Sequence, residues 1–182
     1  MKKVFIGGSR KIADLNGEIR YRLDTIMSKQ LAVLVGDAPG ADKAVQSYLA
    51  DHHYPNVEVF CSEGKCRNNI ADWHVRVVKL SRAVKGFEYF TAKDAAMARE
   101  ADVGLMLWDG ESAGTIVNTA RLVAAGKPVV IYLDARHEFT TVRRPDELRS
   151  IIAGLGNDHA RGRIERYIAE HAPEFSQAAT FA

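Results

Sequence analysis

The sequence predicts an α/β fold: a three-layer sandwich built on a mostly parallel, five-stranded sheet. Three observations predict it. Apolar runs that read as buried strands end abruptly in glycine, at residues 4–6 before Gly7 and Gly8, at 31–35 before Gly36, and at 102–108 before Asp109 and Gly110. Two of these junctions lead into helical periodicity, from Ala41 and from Ile116, so strand and helix alternate along the chain. Alternation of this kind builds a parallel sheet with helices on both faces.

The elements follow in order. Residues 4–6 form a short first strand. Leu15, Ile19, Leu23 and Ile26 recur at helical spacing over 15–28, with Asn16 and Gly17 blurring the start. Residues 31–35 are the second strand; Pro39 and Gly40 make a turn, and Asp42 caps a helix whose apolar positions are Ala44, Val45, Tyr48 and Leu49. Residues 56–61 alternate and give the third strand. The stretch after Ser62 is less regular: 75–80 reads as helical and 86–90 as a short extended piece. Thr91 is placed to cap a helix over 95–101, with Asp94 three residues on, as in a capping box. Residues 102–108 and 128–133 are the fourth and fifth strands, flanking a helix over 116–125 that Gly126 stops. Helices are predicted over 146–152 and 157–171, and no pattern from Pro173 onward. The strand order expected is 3-2-1-4-5. No linker divides the chain, which reads as one domain over 1–182, with its core at 4–133 and a C-terminal helical extension at 134–182.

Bulk properties exclude several classes. Of 182 residues, 47% are hydrophobic and 26% charged, which suits an ordered globular chain. No apolar run is long enough to span a membrane, and the N-terminus lacks the pattern of a signal peptide, so a cytoplasmic protein with no membrane partner is expected. A net charge of +2 and the lack of a basic stripe argue against nucleic acid as a partner. Cys61 and Cys66 are too few for a disulfide framework and suggest a reducing compartment. Neither they nor His74, nor the adjacent His52 and His53, have metal-site spacing, so no metal and no resident cofactor are expected. Homo-oligomerisation is left open.

The candidate site lies at the strand ends. In a parallel sheet these ends share one edge, where ligands of open α/β sheets bind. Backbone amides at a helix start lack intrahelical partners and carry partial positive charge, so the loops before Ala41 and Ile116 are suited to an anion, a phosphate foremost. An ordinary strand–turn–helix has the same composition; the matched pair of loops favours the site. The binding set is Gly7, Gly8, Ser9 and Arg10 from the first junction, Gly36, Asp37, Gly40, Ala41 and Asp42 from the second, and Asp109, Ser112, Gly114, Thr115 and Asn118 from the third. Arg10 is the bidentate phosphate donor, and Asp37 or Asp109 accepts from ribose hydroxyls. Lys65, Arg67, Asn68 and Asn69 read as a solvated loop.

Residues 36–43, Gly-Asp-Ala-Pro-Gly-Ala-Asp-Lys, resemble the G-x-x-x-G-A-D loop of the SLOG superfamily of Rossmann-like domains, and Asp109 to Thr115 with Gly126 to Ile131 resembles its second half. The resemblance implies a Rossmann-like fold that binds a nucleotide or nucleotide-derived ligand at the strand ends. That superfamily includes the LOG phosphoribohydrolases and the DNA-processing protein that loads recombinase. The second loop is also similar to that of the nucleoside 2-deoxyribosyltransferases, which implies N-glycosidase chemistry on a nucleoside monophosphate as the alternative. Those enzymes carry a catalytic glutamate four residues after the loop glycine. Here that position is Asn118, which cannot serve as a carboxylate. Asp109 and Glu111 remain as candidate catalytic acids, with Glu63 and Asp94 as acids near other strand ends. Binding without turnover is therefore the leading expectation.

Overall fold

The computed structural model describes residues 1–62, 66–79 and 86–178. Its sheet is assembled from β1 (Lys3–Gly8), β2 (Ala32–Gly36), β3 (Val57–Ser62), β4 (His74–Val78), β5 (Val103–Trp108), β6 (Val129–Leu133) and β7 (Glu138–Val142). They lie in the order β4-β3-β2-β1-β5-β6-β7. All neighbours are parallel except β6 and β7. The five expected strands occur in the expected order, and the sheet has seven strands rather than five because one further strand is added at each edge.

Both added strands were hidden by their edge position. Residues 75–80 were expected to be helical, but His74–Val78 pairs with β3, Glu58 opposite His74 and Cys61 opposite Val77. An edge strand with much of its surface exposed loses the alternation that marks a half-buried strand. β7 returns antiparallel after a short 3-10 turn at Asp134–Arg136, so the chain beyond residue 133 contributes to the sheet as well as to helices.

Among the described residues, seven α-helices complete the layers: α1 (Gly17–Ser28), α2 (Ala41–Asp51), α3 (Gly86–Glu100), α4 (Ala113–Ala124), α5 (Pro145–Ala153), α6 (Asp158–His171) and α7 (Pro173–Gln177). The expected extended piece at 86–90 is the first turns of α3, so Thr91 and Asp94 are interior to that helix and not its cap. Alternation along β1 divides the core. Val4 and Ile6 pack with Ile19, Leu23, Val45 and Leu49 on the α1–α2 face. Phe5 packs with Met97, Met106 and Ile116 on the opposite face, where Leu148, Ile164 and Ile168 of α5 and α6 extend the cluster. Asn16 caps α1 by accepting from the Ile19 amide at 3.0 Å. Gly126, at φ +71°, ends α4 as expected.

Cys61 and Cys66 are joined by a disulfide, with Cα atoms 5.4 Å apart, where the sequence had offered them as a sign of a reducing compartment; Cys61 is in β3 and Cys66 is only five residues further along the chain, which keeps the two sulfurs within reach. No helix among the described residues is long and apolar enough to cross a membrane. Glu63 and Lys65 lie outside the described residues.

Gly40 is fixed by backbone geometry. It precedes α2 at φ +78°, and a Cβ there would land on the backbone of Arg10. Its role is to let the second loop close on the first, where the Ala41 amide donates to the Ser9 carbonyl at 3.1 Å. Gly40→Ala is expected to destabilise the fold by about 1–3 kcal/mol, a fall of several degrees in melting temperature. Gly126→Ala, strained in φ but with open space around it, should cost less. Equal losses in thermal melts would show that the Arg10 backbone imposes no constraint.

Candidate functional site

The C-terminal ends of β1, β2 and β5 open into a cleft of about 610 Å³, within the range of small-ligand sites. It is lined by Phe5 to Lys11 of the β1 end (Ile6 excepted), Ala38 and Asp42 of the second loop, Arg67, Thr91, Lys93 and Asp94 of α3, the segment from Asp109 to Asn118, and Arg163 of α6. Of the expected binding residues, Gly7, Gly8, Ser9, Arg10, Asp42, Asp109, Ser112, Gly114, Thr115 and Asn118 are on its walls, as is Glu111. Gly36, Asp37, Gly40 and Ala41 are not on those walls. Gly36 and Asp42 form part of a charged floor, Gly40 and Ala41 join the loops, and Asp37 turns away to Arg67.

The mouth is shaped by the first and third junctions. Asp109 accepts from the Ser9 hydroxyl at 2.8 Å and from the amides of Ser112 at 2.8 Å and Glu111 at 3.1 Å. Burial opposes its ionisation, but these donors hold its carboxyl below the ordinary value. It is an ionised structural acceptor that ties the third loop to the first. Glu111 is exposed at the rim and pairs with Lys11 at 2.6 Å. Neither α2 nor α4 has a side-chain hydrogen bond capping its first turn, and both helix starts face the cleft.

Cations ring this mouth. Arg10 and Lys11 come from the β1 end. Arg67 follows β3, and Arg163 comes from α6. Arg163 donates from Nη2 to the Glu111 carbonyl at 2.8 Å, while its buried Nε has no hydrogen-bond partner among the described residues. Sequence reasoning missed Lys11 and Arg163, and weighed Arg67 as a ligand contact but preferred a solvated loop. No local signal places a helix residue 52 positions beyond Glu111 beside that loop; packing of α6 on α4 does so.

Arg67 is held rather than solvated. Its guanidinium donates to both Asp37 oxygens, Nη2 to Oδ1 at 2.5 Å and Nε to Oδ2 at 3.0 Å, and its backbone amide adds a third bond at 3.1 Å. Burial would raise the Asp37 carboxyl, but these Arg67 bonds bring it below its ordinary value. A lowered folded-state value means that the pair's stabilisation is complete above the unfolded value of 3.8 and is lost as pH falls through the lowered one. Acid titration followed by circular dichroism should therefore show stability falling below pH ~4, with a shallower fall in Asp37→Asn. An equally steep fall in that variant would assign the loss elsewhere.

The floor holds a buried charge cluster that the sequence reading did not assemble. Lys93 Nζ lies 2.8 Å from Asp94 Oδ1 and 3.5 Å from Asp42 Oδ2. Burial disfavours the ammonium, but Asp94 and Asp42 more than offset this and raise the Lys93 pKa above its ordinary value. Burial also pushes the Asp42 carboxyl up, opposed by Lys93. A Cβ on Gly36 would collide with both Lys93 Nζ and Asp42 Oδ2, so glycine at this strand end is the space the ion pair occupies. The signal available was Lys93-Asp94 set in a run of alanines: charges on a helix face otherwise made for burial. Asp42 is in the first turn of α2 rather than at its cap, and accepts from the Ala38 amide at 3.1 Å.

One grouping among the described residues has metal-ligand proximity: Asp37, Cys61 and Cys66, with donor atoms within 4.8 Å of one another. The disulfide occupies both sulfurs and Arg67 occupies the carboxylate.

No family model matches the chain, and no curated protein matches it. Among solved structures, the chain is similar to DNA processing protein A from Helicobacter pylori, described for its single-stranded DNA binding mode. The two share 16% sequence identity at a TM-score of 0.54, over 93% of this chain and 81% of the other. This neighbour overturns two expectations. A nucleotide-derived ligand or N-glycosidase substrate was expected, and nucleic acid was excluded on net charge; the protein sharing this fold binds single-stranded DNA. Net charge misled because it averages over the surface, whereas the fold collects Arg10, Lys11, Arg67 and Arg163 at one opening. At this identity, what the likeness establishes is the fold, an α/β Rossmann-like architecture common to the two proteins.

Proposed function

We propose that this chain binds single-stranded nucleic acid, holding its sugar–phosphate backbone across the mouth of the strand-end cleft. The observation that carries this reading is the set of four cations, Arg10, Lys11, Arg67 and Arg163, brought from separate parts of the chain to one cleft. Against them stand Asp109, already satisfied by three internal donors, Glu111, paired with Lys11, and Asp37, which orients Arg67. Arginine suits phosphate because its fork donates in a bidentate manner, and the uncapped start of α4, where Gly114 and Thr115 line the cleft, adds amide donors of the same polarity. The single-stranded DNA binding of the structural neighbour supports the same choice of ligand. So does the resemblance of the two cleft loops to those of the SLOG superfamily, which includes DNA-processing proteins. The carboxylates of the mouth are assigned to positioning: Asp109 fixes the loop, and Glu111 holds Lys11 until phosphate replaces it.

Fluorescence anisotropy with a labelled oligothymidylate about 20 nucleotides long tests the proposal. Saturable binding at low salt is expected, with the logarithm of affinity falling linearly against the logarithm of salt concentration at about 0.7 per phosphate contacted. No binding at about 50 mM salt would overturn it.

A further inference from the structure

The inner end of the cleft is chemically unlike its mouth. Thr91, Lys93, Asp42 and Asn118 are buried polar side chains there, beside Phe5 and Gly7 of β1. Asp94 shares one oxygen with Lys93 at 2.8 Å and accepts at the other from Asn118 Nδ2 at 3.1 Å. Asn118 is itself braced by Arg121, whose Nη1 donates to Oδ1 at 3.2 Å. The two carboxylates of this floor, Asp42 and Asp94, make it a poor place for a phosphate. What fits is an uncharged, flat and polar group that can meet a carboxylate with hydrogen-bond donors. In a nucleic acid strand that group is a base.

The floor also discriminates among bases. A carboxylate has about four acceptor positions, and Asp94 spends one per oxygen on the bonds above. Beside it, Lys93 is a donor. The cleft thus offers a donor adjacent to an acceptor pair. Guanine presents the complement: the O6 acceptor next to the N1–H and N2–H donors. Thymine and uracil have a second carbonyl where guanine has its amino group, and that oxygen would face the carboxylate. Adenine and cytosine would set a ring-nitrogen acceptor against it. A base can enter only if it is unpaired, which a single strand permits at the cost of unstacking.

We propose that the cleft floor receives one unstacked guanine of the bound strand, with Asp94 accepting from its N1–H and N2–H groups. This rests on the single-strand reading above and names the base that reading leaves open. On one side the floor is closed by the strand end of β1 at Phe5 and Gly7, where a side chain at Gly7 would crowd the buried Phe5 ring. Asn118 is a positioning residue, orienting the Asp94 carboxylate through their hydrogen bond.

The experiment compares oligothymidylate with the same strand carrying one central guanine, adenine, cytosine or hypoxanthine, in anisotropy titrations of the intact chain. The guanine strand is expected to bind about tenfold more tightly than the others, at the lower end of what one bidentate base contact discriminates. Hypoxanthine, which lacks the amino group, should lose most of that gain, and this arm needs no variant. Asp94→Asn, checked by melting temperature to be folded, should abolish the difference between the guanine and thymine strands. If all strands bind alike, the guanine assignment fails while the single-strand reading stands. If none binds, both fail. A preference for guanine that survives in Asp94→Asn would overturn the role of Asp94.

Discussion

Replacing Lys93 with methionine is expected to destabilise the protein by about 3–5 kcal/mol, because it leaves the buried Asp42 carboxylate and the partly buried Asp94 carboxylate without their shared cation. For a chain of this size that is a fall of roughly 10 °C in melting temperature. The pH response should also change. In the variant, burial and mutual repulsion both favour the protonated acid, so the folded-state carboxyl value lies above the unfolded one. Protonation then stabilises the fold, and that contribution is lost as pH rises through the raised value. Asp42 is already raised in the parent, so the variant should recover more stability between pH 8 and pH 5 than the parent does. Thermal melts across that range decide it. A variant that melts within about 2 °C of the parent would mean that the cluster is solvated, and a floor of that kind would have no means of reading a base.

Removing the four mouth cations together, as Arg10→Ala, Lys11→Ala, Arg67→Ala and Arg163→Ala, is expected to weaken oligothymidylate binding more than about a hundredfold near 150 mM salt. The salt dependence should flatten by roughly 2–3 in slope, since each lost phosphate contact removes about 0.7. Three of these side chains are exposed and Arg163 is half-buried, so the cost in stability should be confined largely to the Arg67–Asp37 pair. Measuring slope as well as affinity separates the readings. A general loss of folded protein lowers apparent affinity at every salt concentration without changing the slope. An unchanged slope in a folded variant would place the nucleic acid away from this cleft.

The sequence disclosed what depends on neighbours in the chain. Strands β1, β2, β3, β5 and β6 were legible because buried strands demand uninterrupted apolar runs, and the loops after β1, β2 and β5 because close backbone approach demands small residues. β4 and β7 were not legible, since an edge strand is half-solvated and its pattern mixes: Val75, Val77 and Val78 with Leu80 mimic helical spacing. The cleft divides in the same way. Its junction residues were found from local motif. Lys93, Asp94 and Arg163 reach it through tertiary packing, and Arg67 reads as loop until Asp37 is seen to hold it. The proposed ligand was not legible for a related reason: phosphate-receiving loops suit a free nucleotide and a polynucleotide equally, and what favours the polymer is a set of cations assembled only in three dimensions.

β1 at the centre of the sheet sets a condition on how the molecule is made. Its partners are β2, only a helix away, and β5, where Val4 lies opposite Val103. At ribosomal rates of about 5–20 residues per second, the nascent chain waits roughly 5–20 s between finishing β1 and finishing the strand that covers its second edge. During that interval an apolar strand edge is open to wrong partners, and such long-range parallel pairing is slow even in the finished chain. The Ser9–Asp109 bond across the cleft spans the same interval, and Arg163 arrives later still. A nascent chain stalled before residue 103 should therefore be a ready client for chaperones, with the proposed nucleic acid site incomplete until its last third emerges.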